Sequence, residues 1–132
     1  MSVHKKPVLL DGAIGTSIWA KVEDKLPVWT YNITRPDVVE ELCHEYIAAG
    51  SKMILANTFG ANRIAVERAS DYQVVDVVSA AVRIAKKAAE GTDVKVCLSI
   101  GPLSQFMEPY GDLEEEEAAD IFHEQIDAGM SE

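Results

Sequence analysis

Three short apolar segments of the chain each end in a turn of small and polar residues, and a helical pattern follows each turn. The segments are residues 8–10, 52–56 and 94–100. Regular alternation of strand, turn and helix is typical of a parallel α/β sheet. Ligands of such folds bind at the carboxyl ends of the strands, so the three turns are predicted to share one face that holds the site. The first segment is so apolar that we expect it to be buried.

Apolar residues at helical spacing predict five helical segments, and capping residues mark their ends. Thr34 is predicted to cap the second segment and Asp112 the last. Gly50 should end a helix in the left-handed conformation, while Gly91 and Gly129 end two others. The predicted segments cover residues 16–22, 34–50, 60–69, 71–90 and 112–129.

Composition narrows the class of protein. The chain has 132 residues, of which 48% are hydrophobic and 26% charged, which predicts one globular domain over residues 1–132. The formal net charge of −10 argues against a nucleic-acid partner and against an anionic membrane surface. No apolar run approaches the length of a membrane span. Two cysteines do not make a disulfide framework, so we expect a cytoplasmic protein.

The first two turns carry the candidate binding residues. Asp11, Gly12 and Ala13 follow the first strand directly, either as a cradle whose carboxylate meets an amine or as a tight turn capped by Asp11. Asn57 and Thr58 follow the second strand. They are suited to hydrogen-bond a substrate, to organise the neighbouring turn, or to cap the next helix. The loop after the third strand, residues 101–112, is a further candidate by position.

A metal site is not expected from this sequence. Cys43 and His44 are adjacent on a predicted helix and point about 100° apart. Cys97 lies in the middle of a predicted strand and His123 on a distant helix. Because no pair has the spacing of metal ligands, we expect a buried thiol and surface imidazoles.

Four stretches in this order resemble the homocysteine S-methyltransferase family, which includes the homocysteine domain of cobalamin-dependent methionine synthase and betaine–homocysteine methyltransferase. The stretches are LLDGAIGT at residues 9–16, NITRPDVV at 32–39, NTFGANR at 57–63, and SIGP at 99–102 together with EPYGD at 108–112. Each is weak alone, but their joint occurrence is specific and spans nearly the whole chain.

The resemblance implies the fold and the reaction. The family fold is a TIM (β/α)8 barrel of typically about 250 residues, so the chain is expected to supply the amino-terminal three βα units of an incomplete barrel. The implied reaction transfers a methyl group to the thiol of homocysteine, activated by zinc held by three later cysteines. Those cysteines are absent here, and Cys43 and Cys97 do not occupy their positions. We therefore expect no catalytic residue and no metal ligand in this chain.

The resemblance also implies a substrate site and partners. Asp11, Gly12 and Ala13 belong to the implied homocysteine pocket, together with Asn57 and Thr58. The methyl donor is open, and a methyl-corrinoid carried by a corrinoid protein is one candidate. Two competing hypotheses remain: a non-catalytic α/β piece that folds by self-association, and an unrelated barrel or open-sheet enzyme with similar turns. An isolated fragment is expected to be inactive and to self-associate, because three strands cannot close a barrel.

Overall fold

A computed structural model of the protein describes residues 5–132, so the first four residues of the predicted domain 1–132 lie outside the described part. This part of the chain holds α-helices and two short parallel strands, with three helices before the first strand. A 3₁₀ turn spans Val28–Thr30. The elements are α1 Gly15–Trp19, α2 Tyr31–Thr34, α3 Pro36–Ala48, β1 Met53–Leu55, α4 Arg63–Ala69, α5 Val74–Ala89, β2 Lys95–Cys97 and α6 Glu115–Met130.

The sheet is parallel and small. Ile54 of β1 pairs with Val96 of β2 in parallel register. On the other edge of β1, Leu10 forms a single parallel bridge to Met53. The backbone N–H of Lys52 donates to the carbonyl of Leu9 over 2.8 Å. The predicted second and third strands are therefore present but shorter, and the predicted first strand is reduced to one bridge.

The expectation that residues 8–10 are buried is wrong. Val8, Leu9 and Leu10 are each more than half exposed. The apolar clusters found within residues 5–132 include none of the three. The reason is that helices α3 and α5 cover β1 and β2, where Ile54 is only 1% exposed, and leave this outer segment uncovered.

Helix α5 lies at the centre of the core. It packs against α3 on one side and α6 on the other. Its apolar spacing places Val77 and Val78 fully inside. The helix begins at Val74, where Gln73 and Asp76 form a capping box, whereas the sequence pattern placed the start at Asp71 or Tyr72. The prediction of a long helix here is confirmed, but the helix begins later in the chain than predicted.

Two predicted caps are wrong. Thr34 donates its hydroxyl to the carbonyl of Thr30, 3.3 Å away, and does not cap α3. Arg35 occupies the cap position, and its guanidinium pairs with Asp37 at 2.8 Å. Asp112 does not cap α6, which begins at Glu115 with no side-chain cap. Acidic residues in the first turn of α6 favour its start through the helix dipole instead.

Glycines end two helices as predicted, and a third glycine differs. Gly50 and Gly91 have φ values of +107° and +75°, which side chains rarely adopt. Gly129 does not stop α6, which continues to Met130. A Cβ at Gly129 would lie 2.6 Å from Cδ1 of Leu98. The glycine therefore lets α6 approach the segment that follows β2.

Within residues 5–132, no helix combines the length and the apolar character needed to cross a membrane.

Candidate functional site

The first two turns and the segment directly after β2 meet around one open pocket of about 390 Å³. Gly12 comes from the first turn, Asn57 and Phe59 from the turn after β1, and Ser99 from the segment after β2. The strand order brings the first two turns and the segment after β2 to one face, but the predicted third turn, which starts at Gly101, does not line the pocket. The volume is in the range of small-molecule sites. The lining is mainly apolar and consists of Gly12, Ile14, Gly15, Val28, Leu55, Ala56, Asn57, Phe59 and Ser99.

Asp11 faces inward beneath this pocket and does not line it. Its Oδ2 accepts a 2.8 Å hydrogen bond from the backbone N–H of Leu55, so the carboxylate ties the first turn to β1. Its Oδ1 is buried and has no hydrogen-bond partner among the described residues. Burial raises the pKa of Asp11, and the N–H groups of Leu55 and of Asp11 itself oppose that rise. The carboxylate lies beside a small cavity against α3.

Cys43 of α3 lines the same small cavity. Burial raises the pKa of its thiol to about 11, and the negative charges of Asp11 and Glu40 add to the rise. The thiol is therefore neutral at physiological pH, as a buried structural cysteine should be. Cys97, on β2, is partly exposed, and both cysteines are free.

The described residues do not fit a metal ion. Between residues 5 and 132 there is no group of three or more His, Cys, Asp or Glu side chains that could hold one. The nearest candidate, the Cys43 thiol, is neutral and shares its cavity with the single carboxylate of Asp11. A thiol must lose its proton to bind a metal, and here both burial and local charge oppose that loss.

Tyr46 holds the first turn from below. Its hydroxyl, on α3, donates to the carbonyl of Ala13 over 2.7 Å. A Cβ at Gly12 would lie only 3.0 Å from the same hydroxyl oxygen. Gly12 therefore lets the turn sit close to α3 and exposes main chain to the pocket, while Ala13 lies outside the lining.

Asn57 fixes the wall of the pocket. Its side-chain amide donates to the carbonyl of Val28 over 3.0 Å and to Oδ1 of Asn32 over 2.8 Å. Asn32 returns a 2.8 Å hydrogen bond to the carbonyl of Asn57. The capping role is taken by Asn62 instead, which accepts from the N–H of Ala65 at the start of α4. Asn57 thus lines the pocket and holds Val28 beside it.

Thr58 is fully buried and joins the turn after β1 to the segment after β2. Its hydroxyl donates to the carbonyl of Ser99 over 2.7 Å and accepts from the N–H of Ser99 over 3.0 Å. Thr58 does not line the pocket, but Ser99 does. Of the three roles considered for Thr58, which are substrate binding, organising the neighbouring turn and helix capping, these contacts fit the second.

Seven of the nine lining residues were not among the predicted binding residues: Ile14, Gly15, Val28, Leu55, Ala56, Phe59 and Ser99. Phe59 is 63% exposed, and a Cβ at Gly101 would lie 2.8 Å from its ring, so Gly101 makes room for it. An aromatic residue inside an otherwise polar turn was a usable signal for Phe59. Val28 carried none, because its hydrogen bond to Asn57 joins residues that are 29 positions apart in the chain.

The long loop after β2 does not extend this pocket. Leu103 and Leu113 anchor it in an apolar cluster with α6. Tyr110, at the tip, is 88% exposed, so it neither packs nor faces the lining residues.

Comparison with known proteins identifies the family. The family model for homocysteine S-methyltransferases matches residues 8–132. The chain belongs to the homocysteine S-methyltransferase family, which confirms the resemblance carried by the four sequence stretches. No curated protein sequence matches the chain.

Solved structures share the fold. The homocysteine methyltransferase MmuM from Escherichia coli, in its metallated form, superposes with a TM-score of 0.77 at 21% identity, covering 96% of this chain and 51% of that one. Its oxidized form gives 0.72 at 18% identity, covering 94% and 49%. Its apo form gives 0.69 at 19% identity, covering 97% and 46%. The chain therefore spans about half the length of these structures. The α/β class is confirmed, and residues 5–132 contain a two-stranded parallel sheet, while the TIM barrel stays a prediction.

Proposed function

We propose that the chain forms the amino-terminal part of a homocysteine S-methyltransferase barrel and that its open pocket receives homocysteine or a related thiol. The observation that carries the proposal is the meeting of two post-strand turns and the segment after β2 around one pocket in a chain of this family. The proposed reaction transfers a methyl group to the substrate thiol. The proposed setting is the cytoplasm, on the ground of two free cysteines.

The predicted binding residues take different parts in this proposal. Gly12 and Asn57 contact the ligand directly, since both line the pocket. Asp11 supplies negative charge beneath the first turn, which favours the amino group of the substrate. Ala13 and Thr58 act through the backbone they hold, by way of the hydrogen bonds to Tyr46 and Ser99.

We propose that methyl transfer itself needs residues other than the predicted binding residues. One solved relative is described in a metallated form, yet residues 5–132 hold no set of metal ligands. We therefore assign no step of the reaction to a metal or to Cys43 in this chain, and we propose that the family's zinc binds elsewhere in the complete domain. The purified chain alone should then show no homocysteine methylation. A methyl-corrinoid remains one candidate donor, and turnover by the chain alone would contradict the assignment.

A matched pair of phenylalanines tests the pocket. Phe59 lines it, whereas Phe106 is 77% exposed on the loop after β2 and lies outside the lining. Calorimetric titration with homocysteine should show weaker binding for Phe59→Ala by about five- to twentyfold, because a substrate contact of an aromatic ring is lost. Phe106→Ala should bind like the wild type. Equal effects of the two substitutions, or none from Phe59→Ala, would contradict the pocket assignment.

One observation favours the second candidate, a piece that self-associates. Residues 8–10 form an apolar edge next to β1 with each side chain more than half exposed. Uncovered strand edges template pairing with other chains. We propose that a second copy covers this edge when the chain is studied alone.

A further inference from the structure

Gln125 is a buried polar residue that the sequence pattern did not single out. It lies on α6 and is only 1% exposed. Its side-chain Nε2 donates a 2.7 Å hydrogen bond to the carbonyl of Thr58. The same carbonyl accepts from the N–H of Ala61 at 2.9 Å. The glutamine therefore fixes the turn after β1 from the side of α6.

The hydrogen bonds continue from Thr58 to the pocket. The Thr58 hydroxyl donates to the carbonyl of Ser99 and accepts from its N–H. Ser99 lines the pocket, and so does Phe59, the residue that follows Thr58 in the chain. Gln125 and Thr58 lie outside the lining. The series Gln125–Thr58–Ser99 thus connects a distant helix to two walls of the pocket.

The side-chain carbonyl oxygen of Gln125 argues against a purely stabilising role for this residue. Oε1 of Gln125 is buried and has no hydrogen-bond partner among residues 5–132. A buried oxygen without a partner costs free energy, and an apolar side chain of similar size avoids that cost. An apolar residue at position 125 would, however, lack the N–H group that donates to the carbonyl of Thr58.

We propose that Gln125 is a positioning residue, which holds the turn after β1 against Ser99 and so sets the shape of the pocket. That the ligand of this pocket is homocysteine rests on the proposed function. The positioning itself rests only on the hydrogen bonds of Gln125 and Thr58.

The test is amide exchange by NMR on the ¹⁵N-labelled 132-residue chain. In Gln125→Met, the Ser99 amide should shift and exchange about two- to tenfold faster, the range that follows from the net value of one hydrogen bond. The melting temperature should stay close to that of the wild type. Ile126→Met introduces the same side chain at the adjacent, exposed position of α6 and should leave Ser99 unchanged.

A second variant and a ligand titration separate the possible failures. Gln125→Leu also removes the hydrogen-bond donor, but its side chain has a different shape from methionine. It serves as the test if Gln125→Met does not fold. Failure of both variants to fold would overturn the proposal, because an amide with an unpartnered oxygen should be replaceable by an apolar side chain. An unchanged Ser99 amide in a folded variant would also overturn it.

The titration uses homocysteine itself. Affinity should fall about two- to tenfold in Gln125→Met and stay constant in Ile126→Met. If the wild type binds no homocysteine while Ser99 responds to Gln125→Met, the proposed function fails and the positioning role stands. If homocysteine binds and Ser99 does not respond, the positioning role fails alone.

Discussion

Replacing Thr58 by valine should destabilise the protein because the Thr58 hydroxyl is the direct link between two turns. Valine keeps the shape of the side chain but leaves the N–H and the carbonyl of Ser99 without their partner. An unsatisfied buried group costs about 1–3 kcal/mol, and Ser99 is only partly buried, so we expect a loss of about 2–3 kcal/mol in the free energy of unfolding. For a domain of this size the melting temperature should fall by about 8–12 °C.

Urea unfolding at a fixed protein concentration measures this difference, and Thr34→Val is its control. Thr34 is exposed, and its hydroxyl makes one 3.3 Å contact with the carbonyl of Thr30. Substitution there should change stability by less than about 0.5 kcal/mol. If Thr58→Val were as stable as Thr34→Val, the hydrogen bonds to Ser99 would not hold the two turns together, and the account of the pocket would be wrong.

Three further predictions concern Asp11, the cysteines and association. The pKa of Asp11 is raised in the folded state, so its contribution to stability is greatest below the ordinary pKa of an aspartate and is lost as pH rises through the raised value. Asp11→Asn should remove this dependence in urea unfolding between about pH 3 and pH 7, and an unchanged profile would refute the assignment. The buried Cys43 thiol, with a pKa of about 11, should react with iodoacetamide far more slowly than the partly exposed Cys97. Mass spectrometry of the alkylated peptides measures the two rates, and faster alkylation of Cys43 would contradict the prediction. The exposed edge at residues 8–10 should give a dimer or larger species in light scattering, whereas a strict monomer would contradict its proposed covering by a second copy.

Local rules predicted much of the helical framework. Apolar spacing identified α3 and α5, and the glycines that follow them, Gly50 and Gly91, adopt positive φ as expected. The caps at Thr34 and Asp112 failed because neighbouring charges and helix-dipole effects offered alternatives that residue preference does not rank. The burial of residues 8–10 failed because it depends on what packs outside them, which an apolar pattern cannot specify.

The sequence allows a prediction of the face of the sheet that holds the site, but not of which side chains line it. Strand order brings the first two turns and the segment after β2 together, whereas the predicted third turn lies outside the lining. The inward orientation of Asp11 and Thr58 depends on their hydrogen bonds to Leu55 and Ser99, which are 44 and 41 residues away in the chain. Gln125 reaches Thr58 across 67 residues. Such long-range pairings leave no mark in local spacing.

The most direct test of the proposed function is the NMR footprint of homocysteine on the ¹⁵N-labelled chain. Binding in the open pocket should shift the backbone amides of Gly12, Asn57, Phe59 and Ser99, which line it from three separate segments of the chain. The account predicts saturable shifts at all four amides. No saturable shift, or shifts confined to a second cleft, which Lys21, Tyr31 and Arg35 line, would contradict the proposed function.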